Sequence, residues 1–452
     1  MKFEKDTFPS LLPALEKIES GFKNLPDIRY DIDPESVSAI LLEVAERLKD
    51  NFPYFHPFYA GQMLKPPHPI ARLAYMLALW INPNNHALDG GRASSIMEKE
   101  AVAELAMMIG WKDHLGHLCS GGTMANLEAL WVASKLNPGK QIVASEQAHY
   151  THHRISEVLQ LPFQFVPCDS RARMDCDALE ALLKQGNIGT VVATAGTTAT
   201  GSVDPVPEII QLKTKYNFRL HIDAAYGGYF TLLENLLPET RHAFDLLTAA
   251  DSVVIDPHKH GLQPYGAGCV LFRDPAVGTF YKHDSPYTYF TSSDLHLGEI
   301  SLECSRPGAA AVALWATQRL LPLIKGGRFA ADLAKGREAA LQLFKLLRND
   351  NRFLTLFEPE LDIVVWAPRA NKASEISKQS RVFFQHASAA DLHLALANFP
   401  DHLVAGHWPK VDLNQSTVTC LRSCLMKPEH LEWLPRIWDK IKTTSEVIHS
   451  VE

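Results

Sequence analysis

Between about residues 71 and 320, short β-branched runs alternate with helical stretches, and this pattern restricts the possible folds more than any other feature of the chain. Strand candidates lie at 141–144, 189–194, 218–222, 252–255 and 268–272, with helical patterns such as 123–134 and 206–216 between several of them. Alternation of this kind belongs to an α/β domain with a mostly parallel sheet and helices on both faces. Ligands of such sheets bind beyond the carboxyl ends of the strands, so the loops leaving those ends should carry the chemistry.

The flanks have a different texture. Residues 1–70 hold two helical patterns, 8–22 and 34–48, followed by an aromatic and proline-rich run at 51–62. Such an arm has too little core to fold alone and should pack on the rest of the chain or on a second subunit. After Lys325-Gly-Gly327 a long helical pattern covers 328–347, and strand-like runs at 353–357, 362–366 and 416–421 predict a small α+β domain. The expected organisation is therefore an arm (1–70), a large domain (71–320) and a small C-terminal domain (321–452).

Composition excludes several classes. The formal charge is -7 with no basic block, which argues against nucleic-acid or anionic-membrane surfaces. The seven cysteines form no CxxC pair and no metal-like spacing with histidines, so reduced thiols in a cytoplasmic protein, with no metal, are expected. The first residues are charged with no apolar run behind them, so no signal peptide is evident. The run at 74–81 is too short to span a bilayer.

Within the large domain, Asp251-Ser-Val-Val-Ile-Asp-Pro-His-Lys259 reads as a buried strand that breaks at Asp256-Pro257 and presents His258 and Lys259. Burial at the edge of a core favours the neutral amine, the form that attacks an aldehyde. The plainer reading is a surface lysine in a loop. Asp223 ends another candidate strand, 36 residues upstream, and is followed by the small-residue turn Ala224-Ala-Tyr-Gly-Gly228. A carboxylate there needs a cation, and a protonated pyridine nitrogen is one; capping of the following turn is the alternative. Pyridoxal phosphate needs both a lysine for its aldehyde and a carboxylate for its ring nitrogen. Ser120-Gly-Gly-Thr123 precedes a helical pattern, so its N–H groups would face an anion; Gly121 and Gly122 permit close approach and Thr123 offers a hydroxyl. His149 follows the strand at 141–144, where an imidazole can stack on a heteroaromatic ring, and Gly196-Thr-Thr198 follows the strand at 189–194, with Asp204 on the same loop.

His221-Ile-Asp-Ala-Ala-Tyr-Gly-Gly228, Asp256-Pro-His-Lys259, Ser120-Gly-Gly-Thr123, Ser145-Glu-Gln-Ala-His149 and Ser305-Arg-Pro-Gly308, in this arrangement, resemble the group II pyridoxal-phosphate-dependent amino-acid decarboxylases of fold type I. The resemblance runs from about Phe55 to Arg422. It implies a transferase-like fold with Lys259 bonded to the cofactor aldehyde, Asp223 on the ring nitrogen, His149 on the ring face and Ala225 beneath it. It places Gly122, Thr123 and His258 at the phosphate and Thr198 near the ring. It also implies a homodimer with active sites at the interface, and a tyrosine on a mobile loop as proton donor. Tyr289 is the choice for that donor and Tyr287 the reserve, although Phe290 could fall in the same register. Arg422 matches an arginine that can meet the substrate carboxylate, and its planar fork suits that task. Arg306 is expected to be structural. Phe58 and Tyr59 are candidates for a substrate pocket, which tilts the expectation slightly toward aromatic or bulky amino acids. The same scaffold also supports aldehyde lyases of the sphingosine-phosphate type, and a catalytically silent cofactor-binding protein is a further alternative.

Overall fold

The computed structural model describes residues 3–26, 28, 30–282 and 296–451. Its centre is a seven-stranded sheet of β1 (Leu115–Cys119), β2 (Gln141–Ser145), β3 (Phe163–Val166), β4 (Ile188–Thr194), β5 (Arg219–Asp223), β6 (Ser252–Ile255) and β7 (Gly268–Phe272). The strands lie in the order β1-β7-β6-β5-β4-β2-β3. Pairing is parallel from β3 through β2, β4 and β5 to β6, and β7 runs antiparallel to both β6 and β1. Strands β4, β6 and β7 are buried along their whole length, as expected where helices cover both faces of a sheet. The carboxyl ends of β1, β2, β4, β5 and β6 consequently point to one edge.

Two of these strands were not expected from the sequence. β1 reads Leu-Gly-His-Leu-Cys, without a β-branched residue, and β3 is a short edge strand with two exposed positions. Gly116 is required in β1 because a Cβ there would meet the Val270 carbonyl oxygen at 2.8 Å.

Behind the sheet, the helix Gly308–Leu320 packs against both Pro69–Leu79 and Leu88–Met108, and the three close one side of the core. Arg306 is buried in this layer. Its Nη1 stands 2.9 Å from Glu98 Oε1 and also donates to the Leu118 carbonyl, so it ties the start of the last helix to β1. The cation and carboxylate satisfy each other out of water, the arrangement in which a buried charge is tolerated.

A second, antiparallel sheet has the order β10-β11-β9-β8, built from β8 (Phe353–Thr355), β9 (Ile363–Pro368), β10 (Ala395–Pro400) and β11 (Thr417–Cys424). β10 was not expected, because Ala-Leu-Ala-Asn-Phe-Pro carries no β-branched residue. The arm forms the helices Leu11–Glu19 and Pro34–Leu48. The second begins where Asp33 accepts hydrogen bonds from the Glu35 and Ser36 N–H groups, with Pro34 in its first turn. No helix among the described residues is long and apolar enough to cross a membrane.

Candidate active site

At the carboxyl edge of the large sheet lies a cavity of about 310 Å³. Gly121, Gly122, Thr123, His149, Thr198, Asp223, Ala225, His258 and Lys259 all line it, together with Asn126, Thr194 and Asp256. Loops from five strands meet there, as a parallel sheet requires of its ligand site.

Asp223 is the last residue of β5. Its Oδ1 accepts the Ala225 N–H at 3.0 Å, while Oδ2 lies 2.9 Å from His152 Nε2 and 3.3 Å from Asn126 Nδ2. Burial pushes this carboxyl up, but the hydrogen bond from His152 and the charge of Lys259 outweigh it and hold Asp223 well below the usual carboxylate range. His221, two residues earlier, bridges Ser252 Oγ (2.9 Å) and Asn126 Oδ1 (2.8 Å), which fixes the asparagine with its amide N–H₂ toward Asp223. Burial lowers the His221 pKa to about 3, so its imidazole is neutral in the fold. Sequence reasoning missed His152, Asn126 and His221 as partners of Asp223. One trace was available: His152 follows His149 by three residues, one helical turn.

Lys259 sits on the turn after β6, its backbone N–H donating to the Asp256 carbonyl at 3.0 Å. Its Nζ stands 3.1 Å from Asp256 Oδ2, and the side chain keeps 22% of its surface exposed. At this edge of the core a carboxylate faces the amine, and the amine opens to the cavity. Asp256 also lies 3.6 Å from His258 Nε2. Gly122 makes this grouping possible, since a Cβ there would approach Asp256 Oδ2 to 2.6 Å.

His149 accepts the Thr151 N–H on Nδ1 at 3.3 Å. Burial, with Lys259 and His152 nearby, lowers its pKa and favours the neutral ring. Asp204 plays a different part: it is fully buried and accepts the Met174 and Thr194 N–H groups, both at 2.7 Å. It secures the end of β4 and does not line the cavity.

The proposed substrate residues stand apart from the cavity wall. Arg422, on β11, donates to the Thr198 carbonyl (2.9 Å) and to Gln62 Oε1 (2.6 Å), spanning the two sheets. Phe58 packs edge-on against Trp433 at 5.3 Å and under the Lys440 ammonium. Tyr59 is buried; its ring meets Tyr54 and its carbonyl accepts Lys427 Nζ at 2.7 Å. Tyr289, Tyr287 and Phe290 lie outside the described residues.

Residues 21–368 match the model of the pyridoxal-dependent decarboxylase conserved domain. The chain belongs to the pyridoxal-dependent decarboxylase family. Over 424 residues it is 29% identical to an L-tyrosine decarboxylase of Enterococcus faecium, covering 71% of this chain and 68% of that protein. It is also 29% identical over 315 residues to a protein of Methanothermobacter thermautotrophicus named probable L-tyrosine/L-aspartate decarboxylase, covering 68% and 82%. The fold matches the crystal structure of Oryza sativa TDC with PLP and tryptamine at a TM-score of 0.78 over 99% of both chains, with 18% identity. This decarboxylase is a carboxy-lyase that acts on amino acids, and its cofactor is pyridoxal phosphate.

The cavity fits that group. Thr194 Oγ1, Asp256 Oδ1 and His258 Nδ1 are buried there without a hydrogen-bond partner among the described residues. The helix Gly122–Leu136 starts at the cavity, where its free N–H groups suit a phosphate, and the ionised Asp223 suits a ring cation.

Proposed function

We propose that this decarboxylase removes the α-carboxylate of an aromatic or similarly bulky L-amino acid and works as a homodimer. The observation that carries the catalytic reading is the placement of Lys259 and the ionised Asp223 on one cavity, with a glycine turn and a helix start beside them. The aromatic preference draws support from tyrosine decarboxylase relatives. The dimer draws support from the arm, whose two helices bury no residue and expose Ile40, Leu41 and Leu42 by 61–69%. The free cysteines agree with a reducing, cytoplasmic setting. Residues 1–70, 71–320 and 321–452 serve as arm, cofactor domain and C-terminal domain.

In this reading Lys259 supplies the amine that holds the cofactor aldehyde. Asp223, kept anionic by His152 and Asn126, maintains a positive ring nitrogen. Neutral His149 and Ala225 would flank the cofactor ring, while Gly121, Gly122, Thr123 and His258 would hold its phosphate and Thr198 would stand near the ring. Bound pyridoxal phosphate supplies an electron sink for the pair left behind when carbon dioxide departs. Tyr289, or Tyr287 in its place, returns a proton to the substrate Cα. Arg422 would meet the substrate carboxylate after exchanging its hold on Gln62, and Phe58 and Tyr59 would belong to the substrate pocket.

The test is a panel of the twenty amino acids and diaminobutyrate, assayed for carbon dioxide release with added cofactor. Fastest turnover of an aromatic substrate is expected. Turnover confined to aspartate would overturn the substrate assignment, and no release from any member would overturn the decarboxylase reading.

A further inference from the structure

Beyond the carboxyl end of β2, three different ligand types converge. Glu146 is the first residue after β2, Cys168 follows β3 by two residues, and His402 lies on the short helix Asp401–Ala405 that follows β10. Cys168 Sγ donates to Glu146 Oε1 at 2.9 Å, and His402 Nε2 stands 3.0 Å from the same oxygen. The sulfur, the imidazole nitrogen and the carboxylate oxygen all lie within 4.8 Å of one another. We propose that Glu146, Cys168 and His402 form a binding site for a zinc-class divalent cation, one that bridges the two sheets.

The chemistry of the set supports this assignment. Thiolate, imidazole and carboxylate are zinc's ligands, and three of them leave a fourth position for water. Hard cations such as magnesium or calcium prefer sites made of oxygen alone. The Cys168 thiol and the His402 imidazole nitrogen now meet at one carboxylate oxygen, and a cation would take the place of the thiol proton there. The Cys168 S–H bond breaks as the sulfur–metal bond forms, with its proton released to solvent. His402 binds through Nε2 in its neutral form, with its N–H on Nδ1, which faces Asp401 Oδ1 at 3.9 Å. Tetrahedral zinc holds its ligand atoms roughly 3.4–3.7 Å apart, so the side chains must separate by about half an ångström. The His402 side chain is 56% exposed and the Glu146 side chain 28%, which leaves both free to make that shift.

The site has a mechanical consequence. Glu146 precedes His149 by three residues on the same turn. A cation here therefore fastens the turn that carries His149 to the helix after β10.

The test uses the holoenzyme, stripped with a chelator and titrated with zinc by calorimetry in two buffers of different ionisation enthalpy. One zinc per chain is expected, with proton release and a raised thermal midpoint. Cys168→Ser and His402→Ala should each weaken that equivalent tenfold or more without changing the metal-free midpoint. His402 is exposed, so its variant keeps the test sound if Cys168→Ser folds poorly. Zinc uptake that persists unchanged in His402→Ala, or no uptake by the wild type below millimolar zinc, would overturn the assignment. Equal uptake of magnesium would overturn the zinc class.

Discussion

His152 Nε2 grips Asp223 Oδ2 at 2.9 Å from behind the cofactor cavity, and this contact keeps a buried carboxylate ionised. Asn126, held by His221, makes the second hold on the same oxygen. In the proposed reading this carboxylate acts only while charged, so the polar groups that hold it matter as much as the rest of the cavity wall.

Asp223→Asn keeps the size and loses the charge. Turnover should fall by about 10²-fold or more, the scale of removing one preorganised electrostatic partner. His152→Gln acts through Asp223, and its signature is a pH profile. Without His152 the Asp223 pKa rises, so the acid limb of kcat/KM should move to higher pH. A purely structural role would lower activity evenly across pH and leave the limb in place.

Gly122→Ala places a methyl group 2.6 Å from Asp256 Oδ2, the oxygen that faces Lys259. Asp256 must turn away, and the lysine loses its partner. Weaker retention of pyridoxal phosphate on dialysis is expected, by about tenfold or more, with the thermal midpoint of the cofactor-free protein little changed; that is the reach of about 1.4 kcal/mol of lost binding. Unaltered cofactor retention would show that the turn has slack.

Arg306→Ala leaves Glu98 buried without its cation. Breaking one side of a buried pair costs about 3–5 kcal/mol, so urea unfolding should shift strongly to lower denaturant. KM for the substrate should remain near the wild-type value in whatever protein stays folded, because Arg306 does not line the cavity. A raised KM with unchanged stability would overturn the structural role of Arg306.

Several features were legible in the sequence because local chemistry states them. β4, β5, β6 and β7 carry β-branched or apolar runs, and each residue proposed for the cofactor ends a strand, sits in the turn beyond it or opens the helix that follows. β1 was hidden because its character depends on partners elsewhere: Gly116 is there to admit Val270 and Leu271, and His117 is there to meet Glu128 at 3.0 Å. His152, Asn126 and His221 were hidden for the same reason, since a polar residue in a core declares its role only when its partner is placed. Arg422 shows the opposite case. Its match to a family arginine was visible, but the hydrogen bonds that now occupy its fork, on Thr198 and Gln62, come from tertiary structure.

His221 makes the pH dependence of stability testable. Its pKa falls from an ordinary 6.5 to about 3 on folding, so between those values the unfolded chain binds a proton that the folded chain refuses. Stability therefore drops as pH falls through that window, by up to ~1.4 kcal/mol per pH unit for one such group. Asp204, raised to about 7, and Asp362, raised to about 6, act in the opposite sense: the folded chain holds their protons, and their contribution is lost as pH rises through those values. The wild-type curve mixes both signs, so the informative quantity is the difference from His221→Gln. The variant should be less stable than wild type at pH 7, where it loses the Ser252 and Asn126 hydrogen bonds, and the gap should narrow steadily toward pH 4. Urea midpoints measured at half-unit pH steps would show it. A gap that stays constant across the window would mean that His221 takes up its proton in the folded state, and that the layer behind Asp223 is open to water.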